Sequence, residues 1–200
     1  NPFRTELLLR AAEHGITTAG GFEMLVAQAV FAAQHFTGRF YATDSVIPAA
    51  SLRLQHQLSN VSLIGMPGCG KSTIGAALAR RLNKTFVDEE IERRTGRNIP
   101  DIFAHEGEEA FRRYEADTLA DVAKHTGQVI ACGGGVIKTA ANVHAMRQNG
   151  VVLWVQRPLG KLATGGRPLS KGGAALKQLQ AERTPLYRAA ADAVLDNSTA

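Results

Sequence analysis

The chain reads as an α/β domain built on a parallel sheet with helices on both faces, preceded by a short helical appendage. Three observations predict this. From residue 61 onward, short apolar runs of strand length alternate with stretches of helical periodicity. The first of those runs leads directly into a glycine-rich loop, Gly65-Met-Pro-Gly-Cys-Gly70-Lys71-Ser72. Residues 1 to 38, by contrast, show only helical spacing broken by glycines.

Taken in order, residues 5 to 14 read as a helix N-capped by Thr5 and stopped at Gly15. Gly20-Gly21 is a turn, and Phe22 to Phe36 forms a second helix closed by Thr37-Gly38. Residues 39 to 59, with weak periodicity and Pro48, read as a linker containing a short helix around 49 to 58. A boundary near residue 59 opens the main domain, residues 60 to 200. Its strands are Val61 to Ile64, Thr85 to Asp88, Gln128 to Ala131, Val151 to Val155 and Ala193 to Leu195. Helices are expected from the glycine loop to about Leu82, over 90 to 96, 99 to 124 and 139 to 148. Strands that alternate with helices pair in parallel and are buried on both faces.

Composition narrows the function classes. At 200 residues with 44% hydrophobic and 20% charged side chains, the chain can bury an ordinary globular core. Its two cysteines, Cys69 and Cys132, offer no disulfide framework, which points to free thiols in the reducing cytosol. There is no secretory leader pattern at the N-terminus, and no apolar run reaches the roughly 18 residues that span a bilayer. Residues 1 to 60 hold four Lys/Arg and four Asp/Glu, so the whole net charge of +5 belongs to the remainder. Without a dense basic run or stacking aromatics, this excess fits small anionic ligands such as ATP and a carboxylate substrate, rather than nucleic acid. The chain opens at Asn1 rather than Met, which reads as a segment cut from a longer polypeptide.

The loop at 65 to 72 fits G-x-x-x-x-G-K-[ST] between a strand and a helix. Glycines let the backbone wrap a phosphate and present N–H groups that a Cβ would obstruct. The helix that starts near Lys71 aims its positive end at the same anion. Lys71 is placed to reach the β- and γ-phosphates, and the Ser72 hydroxyl to take a coordination position on Mg²⁺. The nucleotide-binding candidates are Gly65, Gly68, Cys69, Gly70, Lys71, Ser72 and Thr73.

Beyond the loop come Phe86-Val-Asp88-Glu-Glu90-Ile-Glu92, Gly96-Arg-Asn-Ile99, Asp101-Ile-Phe103, Gly107-Glu108, Phe111-Arg112 and Glu115. Gly133-Gly134-Gly135, Gly166-Arg167-Pro168-Leu169 and Arg183-Thr-Pro-Leu-Tyr187 follow. This ordered set closely resembles shikimate kinase, over residues 61 to about 196. The resemblance implies a P-loop kinase of the nucleoside monophosphate kinase type that transfers the γ-phosphoryl of ATP to the 3-hydroxyl of shikimate. It implies that Arg112 and Arg183 hold the shikimate carboxylate, a job suited to bidentate guanidinium geometry. The run Gly133, Gly134, Gly135 would approach the ring, and Arg167 would be the lid arginine that closes over the phosphates. The catalytic set by resemblance is Lys71, Asp88 and Arg167. Glu108 and Glu115 read as structural partners of arginines, Cys69 and Cys132 as small packing residues, and His105 and His125 as exposed.

One stretch departs from the family pattern. Shikimate kinases usually carry Asp-Thr-Asp, two residues, then Ile-Glu; here Asp88-Glu89-Glu90-Ile91-Glu92 is two residues shorter. Counted forward from Lys71, Asp88 is the aspartate that assists Mg²⁺ through water, beside Ser72. Counted back from Ile91-Glu92, it is the one that contacts the substrate hydroxyls and is the candidate base. Glu90 becomes the substrate-facing carboxylate if the following helix is shortened. The lid is also short, with nine residues between Arg157 and Arg167.

The N-terminal residues Asn1-Pro-Phe-Arg-Thr5, Leu7-Leu8, Gly15, Gly21-Phe-Glu-Met24-Leu25, Gln28-Ala29 and Thr37-Gly38 resemble the end of shikimate dehydrogenase. This implies the tail, residues 1 to 38, of a dehydrogenase domain tethered upstream; in that family the glutamine matching Gln28 hydrogen-bonds shikimate. The dehydrogenase's catalytic lysine and aspartate are absent, so no hydride transfer is expected from this stretch. The rival readings are another small-molecule kinase of the same fold, such as gluconate kinase, or a nucleotide-binding domain without catalysis.

Overall fold

The computed structural model describes residues 2–88, 90–162 and 173–198. Five strands, β1 (Asn60–Ile64), β2 (Thr85–Val87), β3 (Gln128–Ala131), β4 (Gly150–Gln156) and β5 (Ala193–Asp196), form one sheet in the order β2-β3-β1-β4-β5. Every pairing is parallel. The central strands are apolar along their length: Leu63, Ile64, Val129 and Val152 are fully buried, as expected of a sheet covered on both faces. The chain runs from β1 outward to β2, returns to β3, and crosses to β4 on the far side. The carboxyl end of β1 is therefore a topological switch point, where open α/β sheets bind ligands.

The main-domain helices are α4 (Lys71–Leu82), α5 (Glu90–Thr95), α6 (Ile99–Val122), α7 (Ala140–Gln148) and α8 (Gly173–Ala190). Before them come α1 (Glu6–Glu13), α2 (Phe22–Thr37) and α3 (Thr43–Leu58). Thr5 caps α1 by accepting from the Leu8 N–H at 3.4 Å, and Gly38 ends α2 in the left-handed conformation its φ of 65° requires. The helix before β1 is longer than the sequence suggests, beginning at Thr43 and running through Pro48. Its C-terminal carbonyls are gathered by one side chain: Lys84 Nζ donates to the carbonyls of His56, Gln57 and Ser59 at 2.6–2.9 Å.

Two differences from the sequence reading shape the site. The long helix expected over 99 to 124 is broken at Gly107, whose φ of 82° and ψ of 177° no helix accepts. The segment after this kink turns Arg112 and Glu115 toward the sheet. The sequence reading places no helix before β5; α8 occupies that stretch, continues through Pro185, and carries Arg183 and Tyr187 inward.

The N-terminal segment docks on the edge of the main domain. Phe3 N–H donates to Asn149 Oδ1 at 3.1 Å, Arg4 N–H to the Gln148 carbonyl at 2.9 Å, and the Arg4 guanidinium to the Gly150 carbonyl at 3.0 Å. His144 of α7 lies between Glu6 and Glu13 of α1, with each ring nitrogen about 2.9 Å from a carboxylate oxygen. In contrast α2, the most apolar helix of this segment, leaves Met24, Leu25, Phe31 and Phe36 exposed.

Candidate active site

The parallel register sets β1 and β3 side by side, with Leu63 opposite Ala131. Each strand runs at its carboxyl end into glycines, 65 to 70 after β1 and 133 to 135 after β3, so the two loops meet. A Cβ built on Gly134 would lie 3.0 Å from Pro67 Cδ and 3.1 Å from an Arg183 guanidinium nitrogen, so the two loops pack tightly there. These loops, β2's end, α5, α6 and Arg157 enclose a cavity of about 630 Å³, in the range of small-molecule sites.

The first loop is shaped for phosphate. Gly65, Gly68 and Gly70 have φ of 145°, 82° and 96°, a region that side chains avoid. A Cβ at Gly65 would also meet the Val155 carbonyl and lie 3.0 Å from Cys69 Sγ. Lys71 Nζ donates to the carbonyls of Gly65 at 3.0 Å and Met66 at 3.1 Å, holding the amine across the loop. Gly70, Lys71, Ser72 and Thr73 line the cavity where α4 begins, so the helix's N-terminal end and the positive end of its dipole face inward. Gly75 keeps α4 close to the sheet, since a Cβ there would strike the Phe86 ring and come within 3.2 Å of Leu63. Cys69 is fully buried in the loop's wall and lines no part of the cavity.

Asp88 follows β2 directly, and Asp88, Lys71 and Ser72 line one cavity. Glu90 opens α5, but its side chain lies outside the described residues, as does all of Arg167. Glu92 also lines the cavity, yet its Oε1 accepts the Ile99 N–H at 2.8 Å and so braces the start of α6.

The arginines sit against the second loop. Arg112 Nη1 donates to Glu115 Oε2 at 2.7 Å, and Nη2 to Glu108 Oε1 at 3.0 Å, while Cζ stands 5.2 Å from the centre of the Phe111 ring. Burial works against the Arg112 charge, but Glu115 and Glu108 outweigh it and raise the pKa further above the ordinary guanidinium value. Burial pushes the Glu115 carboxyl above the usual carboxylate range, with Arg112 and Arg183 opposing that shift. Arg183 is only 2% exposed. Among the described residues, the buried Arg183 Nε and Glu115 Oε1 have no hydrogen-bond partner, and both residues line the cavity. The Glu115 charge is balanced at this depth by its pair with Arg112.

Each glycine of the second loop admits one of these groups. Cβ atoms at Gly133 and Gly135 would strike Glu115 and Arg112 respectively, and one at Gly134 would press on Pro67 and Arg183. Tyr187 stacks on Trp154, ring centres 5.7 Å apart, and its hydroxyl donates to the Gly134 carbonyl, fixing the loop from behind. Burial pushes the Tyr187 hydroxyl up to about 12, so it stays protonated and donating. The Cys132 thiol, next to the run, is likewise pushed up to about 12 by burial and is inert packing against Met146 at 3.7 Å.

The structure thus brings Gly68, Gly70, Lys71, Ser72, Thr73, Asp88, Arg112, the glycine run and Arg183 to one cavity; Gly65 and Cys69 shape its phosphate side from behind. Sequence reasoning missed Arg157, which lines the cavity just past β4, although its place after a strand at the sheet's carboxyl end is a usable signal. It also missed the pair Phe103 and Phe111, 4.7 Å apart, which form an apolar wall. Among the described residues no cluster of three or more His, Cys, Asp or Glu could hold a metal. A Mg²⁺ ion that binds through one hydroxyl, phosphate oxygens and water needs no such cage, so Ser72 and Asp88 fit it.

A parallel sheet of this order, with a glycine loop and lysine at its switch point, defines a P-loop phosphotransferase of the nucleoside monophosphate kinase type. Residues 67–200 match the family model described as shikimate kinase. The shikimate kinase of Nitrosomonas europaea is 41% identical over 148 residues, 69% of this chain and 70% of that protein. That of Clostridium botulinum (strain Eklund 17B / Type B) is 37% identical over 148 residues, 70% of this chain and 89% of the relative. The solved structure of shikimate kinase from Acinetobacter baumannii in complex with shikimate superposes with a TM-score of 0.69 at 35% identity. That match covers 74% of this chain and 88% of the other. The chain belongs to the shikimate kinase family.

Proposed function

We propose that residues 60 to 200 transfer the γ-phosphoryl group of ATP to the 3-hydroxyl of shikimate, giving shikimate 3-phosphate and ADP. The observation that carries this reading is the pair Arg112 and Arg183, seated on one glycine run within the cavity that also holds the phosphate loop. A ring bearing one carboxylate and three hydroxyls matches that lining: guanidinium groups for the carboxylate, exposed glycine backbone and apolar rings for the ring faces.

In this reading the loop N–H groups and Lys71 hold the β- and γ-phosphates, and Ser72 would take a coordination position on Mg²⁺. Mg²⁺, when bound, neutralises charge on the phosphate oxygens. Arg112 and Arg183 fix the acceptor so that its hydroxyl points along the axis toward the γ-phosphate. Asp88 sits beside that hydroxyl and accepts its proton. Arg167 is assigned to the phosphates by resemblance alone. Most of the acceleration then comes from positioning and electrostatics, as in phosphoryl transfer generally.

A coupled ADP-release assay with and without shikimate tests the proposal. Turnover that requires shikimate supports it; turnover with gluconate or a nucleoside monophosphate, and none with shikimate, refutes it. We assign residues 1 to 38 as the tail of a shikimate dehydrogenase-like domain, tethered upstream through 39 to 59, in a cytoplasmic polypeptide that joins consecutive steps on shikimate. An immunoblot against residues 60 to 200 checks the tether, since an endogenous band of kinase mass alone would rule it out.

A further inference from the structure

We infer that Asn197 is a positioning residue for the phosphate loop, setting nucleotide affinity from the end of β5; this rests on the kinase reading above. The Asn197 side chain is buried, and its Nδ2 donates to the Cys69 carbonyl at 2.8 Å across 128 positions of sequence. Strand β5 does not need that amide. The backbone of Asn197 is already satisfied by its N–H bond to the Gln156 carbonyl at 2.8 Å. The segment is further pinned on both sides, by Ser198 N–H to Asp196 Oδ1 at 2.9 Å and by Lys161 Nζ to the Ser198 carbonyl at 2.6 Å. The side chain is thus delivered to the loop by a rigid support.

What it grips matters for the chemistry. In a trans peptide the carbonyl of one residue and the N–H of the next point in opposite directions. Holding the Cys69 carbonyl toward β5 therefore turns the Gly70 N–H to the other side. Gly70 lines the cavity and Asn197 does not, so the other side is the phosphate side. A Cβ at Gly70 would lie 2.7 Å from Asn197 Nδ2, so the amide occupies the space that a side chain there would fill. Gly70 is consequently required twice, for its φ of 96° and for this contact. One hydrogen bond from a distant strand fixes the orientation of a peptide plane that binds phosphate.

The test compares Asn197→Leu, which keeps the volume and loses the donor, with Asn197→Ala, which loses both. ADP affinity is measured by calorimetry, and KM for ATP and for shikimate by steady-state assay. Both variants are expected to bind ADP at least about tenfold more weakly and to raise the ATP KM alike, with the shikimate KM within about twofold of the parent. ADP affinity within twofold of the parent for Asn197→Leu would overturn the inference, as would parallel weakening of ADP and shikimate. If Asn197→Leu loses cooperative melting, Asn197→Ala decides by the same split. A parent chain that binds ADP without shikimate-dependent turnover would sink the kinase reading instead, and the calorimetric comparison would still judge Asn197.

Discussion

Gly135→Ala is the sharpest probe of the acceptor site, because it perturbs Arg112 without touching it. Gly135 has φ of −105°, which alanine adopts freely, so the substitution introduces no backbone strain. The new Cβ, however, would lie 2.6 Å from both Cζ and Nη2 of Arg112, where ordinary contact begins near 3.4 Å. The guanidinium must withdraw by at least about 0.8 Å, and by more at Nη1, the atom nearest the new Cβ, while it is tethered to Glu115 at 2.7 Å and Glu108 at 3.0 Å. Loss or weakening of one charge-assisted hydrogen bond to the shikimate carboxylate costs about 1.5–3 kcal/mol. At about 1.4 kcal/mol per tenfold, this raises the shikimate KM by roughly 10- to 100-fold. The nucleotide loop lies outside the perturbation, so the ATP KM should stay within about twofold. Steady-state kinetics with each substrate varied in turn reads the split, with thermal melting as a check on folding. A shikimate KM unchanged in a normally melting Gly135→Ala protein would refute the placement of Arg112 as a carboxylate ligand.

Other outcomes follow from the same geometry. Lys71→Ala should abolish detectable ADP release yet still bind shikimate, followed through the fluorescence of Trp154, the chain's only tryptophan, which stacks on the tyrosine that supports the glycine run. Lys84→Met should lower the melting temperature by roughly 2–10 °C, since three carbonyls at the end of α3 lose their donor at a cost of about 1–3 kcal/mol. The α1 clasp should depend on pH. Glu13 and Glu6 raise the His144 pKa above the ordinary 6.5, so its contribution is complete below that value and lost as pH rises through the raised one. At the acid end, Arg10 and His144 hold Glu6 below its ordinary 4.5, so its share persists above 4.5 and disappears as pH falls through the depressed value. The protection of amides in residues 2 to 13 against hydrogen exchange, taken relative to the intrinsic rate at each pH, should accordingly be lower near pH 8.5 than near pH 6, and His144→Gln should flatten that difference.

How much of this could be read from sequence depends on whether a feature is local. The phosphate loop was fully legible, because eight contiguous residues carry both its glycine conformations and its lysine. The strands were legible for the same reason, as short, mostly apolar runs of the kind a doubly covered sheet demands. Arg112 and Arg183 were picked out only through resemblance to a family, since nothing in a helical arginine announces that it will be buried. Glu115 shows the difficulty best. Its reading as a structural partner of arginines agrees with its pair to Arg112, but its burial is not legible on a polar helix and follows from the Gly107 kink and the side-by-side loops of β1 and β3. The helix that carries Arg183 is absent from the sequence reading; it runs through Pro185, with Tyr187 and Leu176 burying its inner face on either side of the missing hydrogen bond.

The shortened stretch after β2 is the place where sequence and structure bear on each other most directly. Asp88 immediately follows a three-residue strand whose Val87 is in register with Ile130, two residues before Cys132 and the glycine run. Parallel pairing fixes how far that strand can slide, so Asp88 is held at the level of the sheet's carboxyl edge whichever way the family pattern is counted. Downstream, α5 has only six residues, and Glu92 is spent on bracing the Ile99 N–H. A carboxylate anchored by strand register is better suited to a fixed role beside the transferred group than one on a short helix. This argument separates Asp88 from Glu90 experimentally. Asp88→Asn should cut kcat by about 10²-fold or more with little change in the shikimate KM, whereas Glu90→Gln should leave kcat within about threefold. The reverse pattern would transfer the base to α5 and show that register does not select it.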